Sequence, residues 1–232
     1  NNIEHHYAHL SSAFHVSPYD EACVLSVDGF GDFASTAWGY GANTDIKIDY
    51  KIFYPHSLGI FYQALTQFLG FKNYGDEYKI MGLAPYGKPK YVNKLREMLL
   101  IKNKGNFELN LDYFKFHKKN FNYRWENGKV EIEDLYTNKI LDLLGPERKK
   151  GEALTDFHKD IAHSTQKIYE EVFLNILNNI YDKYQNKNLC IAGGCGMNSV
   201  ANGKIKNNTK FKNIFIQAAA GDAGGAIGAA YS

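Results

Sequence analysis

The sequence is short of the features that mark secreted, membrane-spanning and nucleic-acid-binding proteins. It has three cysteines in 232 residues and no paired cysteine spacing, which gives no disulfide framework and favours a reducing compartment. It has no apolar run of about 18 residues, no signal peptide and no lipidation motif. Its net charge is only +2 and its charged residues are dispersed, so composition indicates neither nucleic acid nor an anionic membrane as a partner. We therefore expect a soluble, cytoplasmic protein.

The chain also lacks an initiating methionine, and it ends within a stretch of small residues that is typical of a close-packed helix. From these two features we expect a piece of a longer protein. Its residues are 44% hydrophobic and 15% aromatic, as in a globular protein. At this length the chain suffices for one large domain or two small lobes.

A strand that runs into two glycines is the first candidate site. Residues 23–27 alternate as a buried or half-buried strand requires. Gly29 and Gly31 then leave backbone amides unobstructed, and Asp28 and Asp32 place carboxylates on either side of the predicted turn. Such amides hold phosphate oxygens and such acids hold a divalent cation, as a nucleotide enzyme needs. A hairpin turn without function is the alternative.

A pair of histidines near the start of the chain is the second candidate site. Residues 4–14 have helical spacing and contain no helix breaker. His5 and His9 are four residues apart, so they share one face of the helix and can reach a single metal ion. His6 points to another face. Two surface histidines that arise by chance are the alternative.

The segments that follow the first strand predict a fold. Residues 33–41 and 46–54 have the pattern of two further strands, and residues 58–69 that of a helix with Ser57 as its N-cap. A three-stranded meander followed by a helix is the opening of a ribonuclease-H-like lobe. The same order also occurs in other α+β folds.

The middle of the chain is less regular. Residues 70–87 predict a glycine-rich loop, in which Lys79 either holds an anionic group or is a surface lysine. Basic and aromatic residues alternate in residues 88–150, with helices expected at 91–100 and 133–144. We interpret this region as a small insertion with its own core rather than as a site for single-stranded nucleic acid.

The last third of the chain contains two more glycine-rich turns. GGCGMN, at residues 193–198, matches neither GxGxxG nor the P-loop, yet it lets a planar or phosphorylated ligand lie against the backbone. Asp222 starts a helix of small residues on which another helix or a nucleotide can pack closely. The elements predicted around these turns are one or two helices at 152–185, strands at 188–192 and 214–216, and a helix at 199–206.

Five segments in this order resemble the O-carbamoyltransferases of nodulation-factor, cephamycin and tobramycin biosynthesis. They are HHYAH (residues 5–9), VDGFGD (27–32), GDEYKIMGLAPYG (75–87), GGCGMN (193–198) and GDAGGA (221–226). The resemblance implies an actin-like ATPase fold of the α/β (α+β) class, in which two ribonuclease-H-like lobes, with a mixed sheet flanked by helices, surround a nucleotide cleft. This part of the family is similar to the metal-dependent ATPase that makes threonylcarbamoyladenosine in tRNA.

The resemblance also implies how the chain is divided. Residues 1–87 would hold the end of the first lobe and the start of the second, residues 88–150 a family-variable insertion, and residues 151–232 the remainder of the nucleotide-binding lobe. In the family a YrdC-like C-terminal domain of the same chain completes the enzyme. That domain lies outside these residues, so we do not expect the 232-residue chain to turn over alone.

The family's reaction implies roles for particular residues. ATP and carbamoyl phosphate give carbamoyladenylate, and the carbamoyl group then passes to a hydroxyl of a small-molecule acceptor. The implied ligands of a divalent metal, iron before zinc or manganese, are His5, His9 and Asp222. By the resemblance Asp28 would lie near the metal or the phosphates. Our further candidates for catalytic residues are Lys79 and His6, the last as a base for the acceptor hydroxyl. The implied nucleotide contacts are Gly29, Gly31, Gly193, Gly194, Asn198 and Gly221.

The chain departs from the family's pattern at a few positions, and other functions stay open. Tyr78 is commonly glycine in the family, Asp32 is commonly glutamate, and residues 195–197 are commonly more aliphatic. The alternatives are threonylcarbamoyl transfer to tRNA and a nucleotide- and metal-binding module without transfer activity. GLAPYG at residues 82–87 favours the small-molecule enzymes. We expect no membrane or nucleic-acid partner, while a homodimer and the choice among sugar, aminoglycoside and β-lactam acceptors stay open.

Overall fold

The structure is a computed structural model that describes residues 2–118, 123–126 and 128–232. It divides into two compact units. The first unit consists of Asn1–Gly59, Lys102–Asn106 and Val172–Ser232, and the second of Ile60–Ile101 and Phe107–Glu171.

The chain contains both helices and strands, which mostly follow one another in groups. The helices are α1 (His5–Phe14), α2 (Leu58–Phe68), α3 (Glu77–Leu83), α4 (Val92–Leu95), α5 (Lys139–Leu144), α6 (Asp156–Tyr184), α7 (Ser199–Asn202), α8 (Ile205–Asn208) and α9 (Gly225–Ala230). The strands are β1 (Glu21–Gly31), β2 (Ala34–Ala42), β3 (Asp45–Phe53), β4 (Leu99–Ile101), β5 (Phe107–Leu109), β6 (Tyr123–Glu126), β7 (Lys129–Ile132), β8 (Asn188–Ala192) and β9 (Asn213–Ile216). Short 3-10 helices lie at Ala84–Tyr86, Leu111–Tyr113, Gly194–Met197 and Asp222–Gly224.

A five-stranded mixed sheet forms the centre of the first unit. Its strand order is β3-β2-β1-β8-β9. The first three strands are an antiparallel meander, whereas β8 runs parallel to β1, with Leu25 opposite Ile191, and β9 runs parallel to β8. Parallel neighbours need a long crossover, and here most of the chain lies between β1 and β8. The predicted mixed sheet flanked by helices, including the meander, is confirmed.

Helix α1 covers one face of this sheet. Its start is capped by the Glu4 side chain, which accepts a hydrogen bond from the backbone N–H of Tyr7. Leu10, Ala13 and Phe14 are buried in one cluster with side chains of the sheet. The predicted helix at residues 4–14 is confirmed, and its packing fixes which histidines face the end of β1.

The hairpin turn after β1 lies later than predicted. β1 continues through an irregularity between Val27 and Gly31, and Gly31 pairs with Ala34. The two central residues of the turn are therefore Asp32 and Phe33, with φ of 47° and 63°. Positive φ at both positions is what a type I′ hairpin turn requires. The prediction of a turn between Asp28 and Asp32, at residues 29–31, was wrong because β-bulges absorb extra residues without ending a strand.

The second unit contains the region that sequence patterns describe least well. Apart from Lys102–Asn106, the predicted insertion at residues 88–150 shares this unit with residues on both sides of it. The helix predicted at 91–100 ends at Leu95, because Leu99–Ile101 pairs with Phe107–Leu109 as a strand. Two predicted helices differ from the observed ones: 133–144 is helical only over Lys139–Leu144, and 199–206 is divided between α7 and α8. Residues 152–185, predicted as one helix or two, form the single helix α6.

Buried polar bonds and a buried apolar core hold the second unit together. The Tyr62 hydroxyl donates to Gln166 Oε1 over 2.9 Å, and the Gln166 amide donates to Glu170 Oε1 over 3.0 Å. Such pairing removes the cost of burying polar groups. The fully buried side chains of its core include Leu65, Phe68, Ile80, Phe107, Phe114 and Ile140.

In the described part of the chain, no helix is both long enough and apolar enough to cross a membrane.

Helix α9 closes against α1 at a point where only glycine fits. A Cβ at Gly228 would lie 1.7 Å from the carbonyl oxygen of Ala8. The Ser11 hydroxyl donates a hydrogen bond to the Gly228 carbonyl over 2.8 Å. The contact therefore sets the distance between the helix that carries His5 and His9 and the segment that carries Asp222.

We predict that Gly228→Ala destabilises the protein by about 1–3 kcal/mol, because overpacking forces the two helices apart. Gly225→Ala is the matched control in the same helix, since no described atom lies within 4 Å of a Cβ built there. Denaturant unfolding of both variants measures the difference. Equal stability of the two variants would show that the contact does not set the helix spacing.

Candidate metal centre

Three separate elements bring four ligand-type side chains to one place in the first unit. His5 and His9 lie one turn apart on α1, Asp28 lies near the end of β1, and Asp222 begins the 3-10 helix before α9. One donor atom from each of the four side chains lies within 4.8 Å of the others. The three predicted ligands are thus brought together, and Asp28 joins them.

The distances between the donor atoms are short. Nε2 of His5 lies 2.9 Å from Oδ2 of Asp28, and Nε2 of His9 lies 3.2 Å from the same oxygen. The two Nε2 atoms are 3.1 Å apart. Oδ1 of Asp222 lies 3.8 Å from Nε2 of His5 and 3.5 Å from Nε2 of His9. All four donors therefore point at a common volume.

Burial and hydrogen bonding set the charges in this cluster. Burial alone would raise the pKa of Asp28, but hydrogen bonds from His5 and His9 outweigh it and hold that pKa well below its ordinary value. The hydrogen bond to Asp28 raises the pKa of His5 against the opposing effect of burial, and the charges of Asp222 and Asp32 add to the increase. An ionised carboxylate thus lies between two imidazoles, an arrangement that favours a cation.

The donor set fits a divalent transition metal. Two imidazole nitrogens and two carboxylate oxygens suit iron, zinc or manganese. The cluster is buried on one side, where the His9 side chain is 1% exposed, and open on the other, where Asp222 is 73% exposed. In the described part of the chain, Nδ1 of His9 is buried without a hydrogen-bond partner. A metal ligand usually has an acceptor at that atom, so the orientation of the His9 ring rests on packing and on the contacts of its Nε2.

A cavity of about 330 Å³ gives access to the cluster. It is lined by Ile3, His5, Ala8, His9, Asp32, Asp222 and Gly225. Acidic and imidazole groups dominate its polar lining, while Ile3 and Ala8 are apolar. The cavity can admit a small ligand to the open side of the metal ligands.

The turn at residues 193–198 packs directly against Asp28. The backbone N–H of Gly194 donates to Oδ1 of Asp28 over 3.1 Å. Gly193 has a φ of +89°, and a Cβ there would lie 2.2 Å from the carbonyl oxygen of Val27. Oδ1 of Asn198 accepts a hydrogen bond from the Ala201 backbone and caps α7. Part of the glycine pattern in this turn is therefore explained by packing.

Gly29, Gly31 and Gly221 differ in how much space surrounds them. No described atom lies within 4 Å of a Cβ built at Gly29, and a Cβ at Gly221 would meet only the Met197 side chain, at 3.7 Å. At Gly31, by contrast, a Cβ would lie 2.0 Å from the His5 ring. Backbone open to a ligand is thus found at Gly29 and Gly221.

The structure does not place His6 where a base for the acceptor hydroxyl must be. His6 is fully buried, its Nδ1 lies 3.0 Å from the Ser26 hydroxyl, and burial lowers its pKa. A general base must reach the proton that it removes, so the role predicted for His6 does not fit. The error arose because adjacent residues on a helix point in different directions, and only the docking of α1 decides which direction is buried.

Lys79 belongs to the second unit. Its ammonium group lies 2.7 Å from Oδ1 of Asp76, on the same short stretch of chain, and 5.4 Å from the centre of the Phe71 ring. This environment is that of a lysine with a local partner. Its predicted contact with an anionic ligand stays a prediction.

Sequence reasoning missed two contacts that support the site. Ser57, predicted as an N-cap, donates from its hydroxyl to the Gly29 carbonyl over 2.7 Å and so ties the start of α2 to the end of β1. Asp32 was expected to hold a cation, but its Oδ2 accepts a hydrogen bond from the His5 backbone over 2.8 Å. Both bonds join residues 27 or more positions apart, so no local pattern could reveal them.

Comparison with known proteins adds family relationships to this geometry. The family model described as the N-terminus of carbamoyltransferases matches residues 1–231. An uncharacterized Synechocystis protein, sll1178, is 46% identical over 231 residues, covering 99% of this chain and 35% of that protein. Nodulation protein NolNO of Sinorhizobium fredii is 35% identical over 98% of this chain and 30% of its own length. Nodulation protein NolO of Bradyrhizobium diazoefficiens is 32% identical over 98% of this chain and 37% of its own.

The chain thus spans about a third of the length of the curated relatives that it matches. Among solved structures, the crystal structure of HypF from T. kodakarensis aligns over 99% of this chain and 36% of its own, with 18% identity and a TM-score of 0.48.

We predict that one divalent metal ion binds per chain. Asp222→Asn and His9→Gln should each lower the metal affinity by roughly 100-fold or more, since changes outside the ligand shell alone typically cost 10–100-fold in affinity. His15→Gln is the control, because His15 ends α1 outside the cluster and bonds Ser11 instead. Anaerobic titration with Fe²⁺, and with Zn²⁺ and Mn²⁺ in parallel, followed by elemental analysis measures affinity and stoichiometry. Equal metal binding in all three variants would exclude this cluster as the site.

Proposed function

The chain belongs to the carbamoyltransferase family, of which it matches the N-terminal part, and we propose that it forms the metal- and nucleotide-binding portion of an enzyme that carbamoylates a hydroxyl group of a small molecule. The observation that carries this proposal is the convergence of His5, His9, Asp28 and Asp222 on one volume. A chance cluster would not be expected to join motifs from both ends of a chain that matches one family model throughout.

The proposed reaction has two steps. ATP, carbamoyl phosphate and water first give carbamoyladenylate, with pyrophosphate leaving from ATP and inorganic phosphate leaving from carbamoyl phosphate. The acceptor oxygen then forms a bond to the carbamoyl carbon, the bond from that carbon to the AMP oxygen breaks, and the hydroxyl proton passes to a base. Both steps develop negative charge on oxygen, which must be stabilised in the transition state.

The four side chains around Asp28 suit this chemistry. A divalent cation held by His5, His9, Asp28 and Asp222 would supply Lewis-acid stabilisation of a phosphate or carbonyl oxygen. Imidazole and carboxylate ligands together accept iron, zinc and manganese. Of these, iron is our first candidate, as the family resemblance implies. Asp28 stays ionised between its hydrogen-bond partners, so it is ready to hold a cation without first losing a proton.

The nucleotide is proposed to lie along the open backbone beside this cluster. Gly29 and Gly221 have free space where a side chain would be, so their backbone can approach phosphate oxygens. Gly194 contributes less directly, because its N–H already donates to Asp28. We therefore place the nucleotide against Gly29 and Gly221 rather than along every glycine of the motifs.

The rest of the enzyme is also a proposal. The relatives are about three times as long as this chain, so a further domain of the YrdC type, in the same polypeptide, would supply what these residues do not. The acceptor is a hydroxyl-bearing small molecule whose identity the site does not specify. A homodimer and a cytoplasmic location belong to the same proposal.

We predict that Gly29→Val lowers the affinity for ATP at least tenfold, because the new side chain fills space that only a ligand would occupy. The melting temperature should change little, since no described atom lies within 4 Å of a Cβ at this position. Gly203→Val is the control, as its Cβ would meet only ordinary contacts of 3.4 Å or more. Calorimetric titration with ATP measures both variants. Unchanged affinity in Gly29→Val would remove this segment from the nucleotide site.

We predict that the full-length parent protein consumes carbamoyl phosphate in the presence of ATP, metal and a hydroxyl acceptor. Asp222→Asn should lower its kcat/KM on the order of 100-fold or more, because a metal contact that acts in the transition state is lost. Transfer of labelled carbamoyl from carbamoyl phosphate to a panel of sugars, aminoglycosides and β-lactams measures the effect. A parent protein that transfers no carbamoyl group but modifies tRNA would instead be a threonylcarbamoyl transferase.

A further inference from the structure

The tip of the β1–β2 hairpin touches His5 at two points. A Cβ at Gly31 would lie 2.0 Å from Cδ2 and 2.4 Å from Nε2 of His5, so the imidazole rests directly on the Gly31 backbone. The next residue, Asp32, accepts a hydrogen bond through Oδ2 from the His5 backbone N–H over 2.8 Å. The ring and the backbone of His5 are thus both held by the same two consecutive residues.

Asp32 makes this bond from a backbone conformation that is uncommon outside glycine. Its φ is 47°, in the left-handed region, where aspartate is tolerated better than most residues but still at a cost in free energy. Its side chain is exposed, so burial does not offset that cost. The hydrogen bond from the His5 backbone at the start of α1 offsets that cost instead.

His5 needs such support more than His9 does. Its side chain is 24% exposed, whereas that of His9 is 1% exposed. His5 is also the first residue of α1, where backbone N–H groups have no acceptor within the helix. A partly exposed side chain at a helix end samples several rotamers unless its surroundings fix it, and that freedom must be lost when a ligand set forms.

We propose that Asp32 is a positioning residue for the metal centre. Its carboxylate oxygen anchors the backbone of His5 to the hairpin, and the adjacent bare backbone of Gly31 sets the plane of the imidazole, so that Nε2 faces Asp28 and His9 before a metal arrives. This inference rests on the metal centre proposed above. It assigns Asp32 a role through its hydrogen bond to His5 rather than as a metal ligand.

A purely electrostatic role for Asp32 would have a different signature. The carboxylate lines the same cavity as the ligands, so its negative charge alone would attract a cation. Asparagine separates the two roles, because it keeps an oxygen acceptor and tolerates positive φ but carries no charge. Glycine removes the acceptor without strain, because it adopts positive φ freely.

The test is a titration of the wild-type protein, Asp32→Asn and Asp32→Gly with Co²⁺, whose visible spectrum reports the ligand geometry. Asn43→Gly is the matched control, since Asn43 occupies a positive-φ position, at 54°, in the next hairpin. We expect Asp32→Gly to bind Co²⁺ about 10–100-fold more weakly with an altered spectrum, the usual cost of losing support outside the ligand shell. Asp32→Asn should stay within roughly threefold of wild type, and Asn43→Gly should match wild type.

Hydrogen exchange of the His5 amide in the metal-free protein gives a second readout. It should be slow in the wild type and in Asp32→Asn and clearly faster in Asp32→Gly. Wild-type affinity and spectrum in Asp32→Gly would overturn the proposal, as would an Asp32→Asn variant as weak as Asp32→Gly, which would point to charge alone. A wild-type protein that takes up no Co²⁺, Fe²⁺, Zn²⁺ or Mn²⁺ would overturn the metal centre itself, whereas a fast-exchanging His5 amide in the wild type would overturn only the anchor.

Discussion

An ionised carboxylate held between two imidazoles is the constraint on which the rest of this site depends. The Asp28 side chain is only 14% exposed, and burying a charge without partners costs several kcal/mol. Its compensation comes from His5 and His9 on one helix and from the Gly194 N–H on a distant turn. Helix α1, the end of β1 and the 193–198 turn must therefore be in place together. The free energy that stabilises the fold and the free energy that shapes the site come from the same contacts.

The mixed sheet makes this arrangement geometrically necessary. Because β8 runs parallel to β1, the turns that follow both strands lie at the same edge of the sheet, and Gly194 meets Asp28 there although 166 residues separate them. α9 then returns across α1, where Gly228 permits contact between the two backbones. That return carries Asp222 to the same edge as His5 and His9. Small residues at the helix crossing thus control the spacing of candidate metal ligands that they do not touch.

Local patterns predicted what depends on local physics. The strands of the meander, the helix at residues 4–14 and the shared face of His5 and His9 follow from periodicity, and all are present. The pairing of that face with Asp222 came from resemblance to a family, since nothing in the spacing of distant residues reveals it. What failed depended on tertiary packing: the bulge that moved the turn to Asp32, the strand that ended the helix at Leu95, and the burial of His6. Each of these three features depends on which surfaces pack together in the folded chain, and hydrophobic periodicity carries no information about that packing.

Four glycines of the three glycine-rich motifs are present for different physical reasons. Gly193 is needed because its backbone has positive φ and packs on Val27, and Gly31 because the His5 ring lies on it. A Cβ built at Gly29 would meet no described atom beyond its chain neighbours, and one built at Gly221 would meet only the end of Met197. Gly29 follows Asp28 and Gly221 precedes Asp222, so open backbone adjoins both carboxylates of the cluster. A phosphate group that approaches at these two positions therefore arrives beside the atoms best placed to hold its counter-cation. Packing accounts for the other two glycines without any ligand.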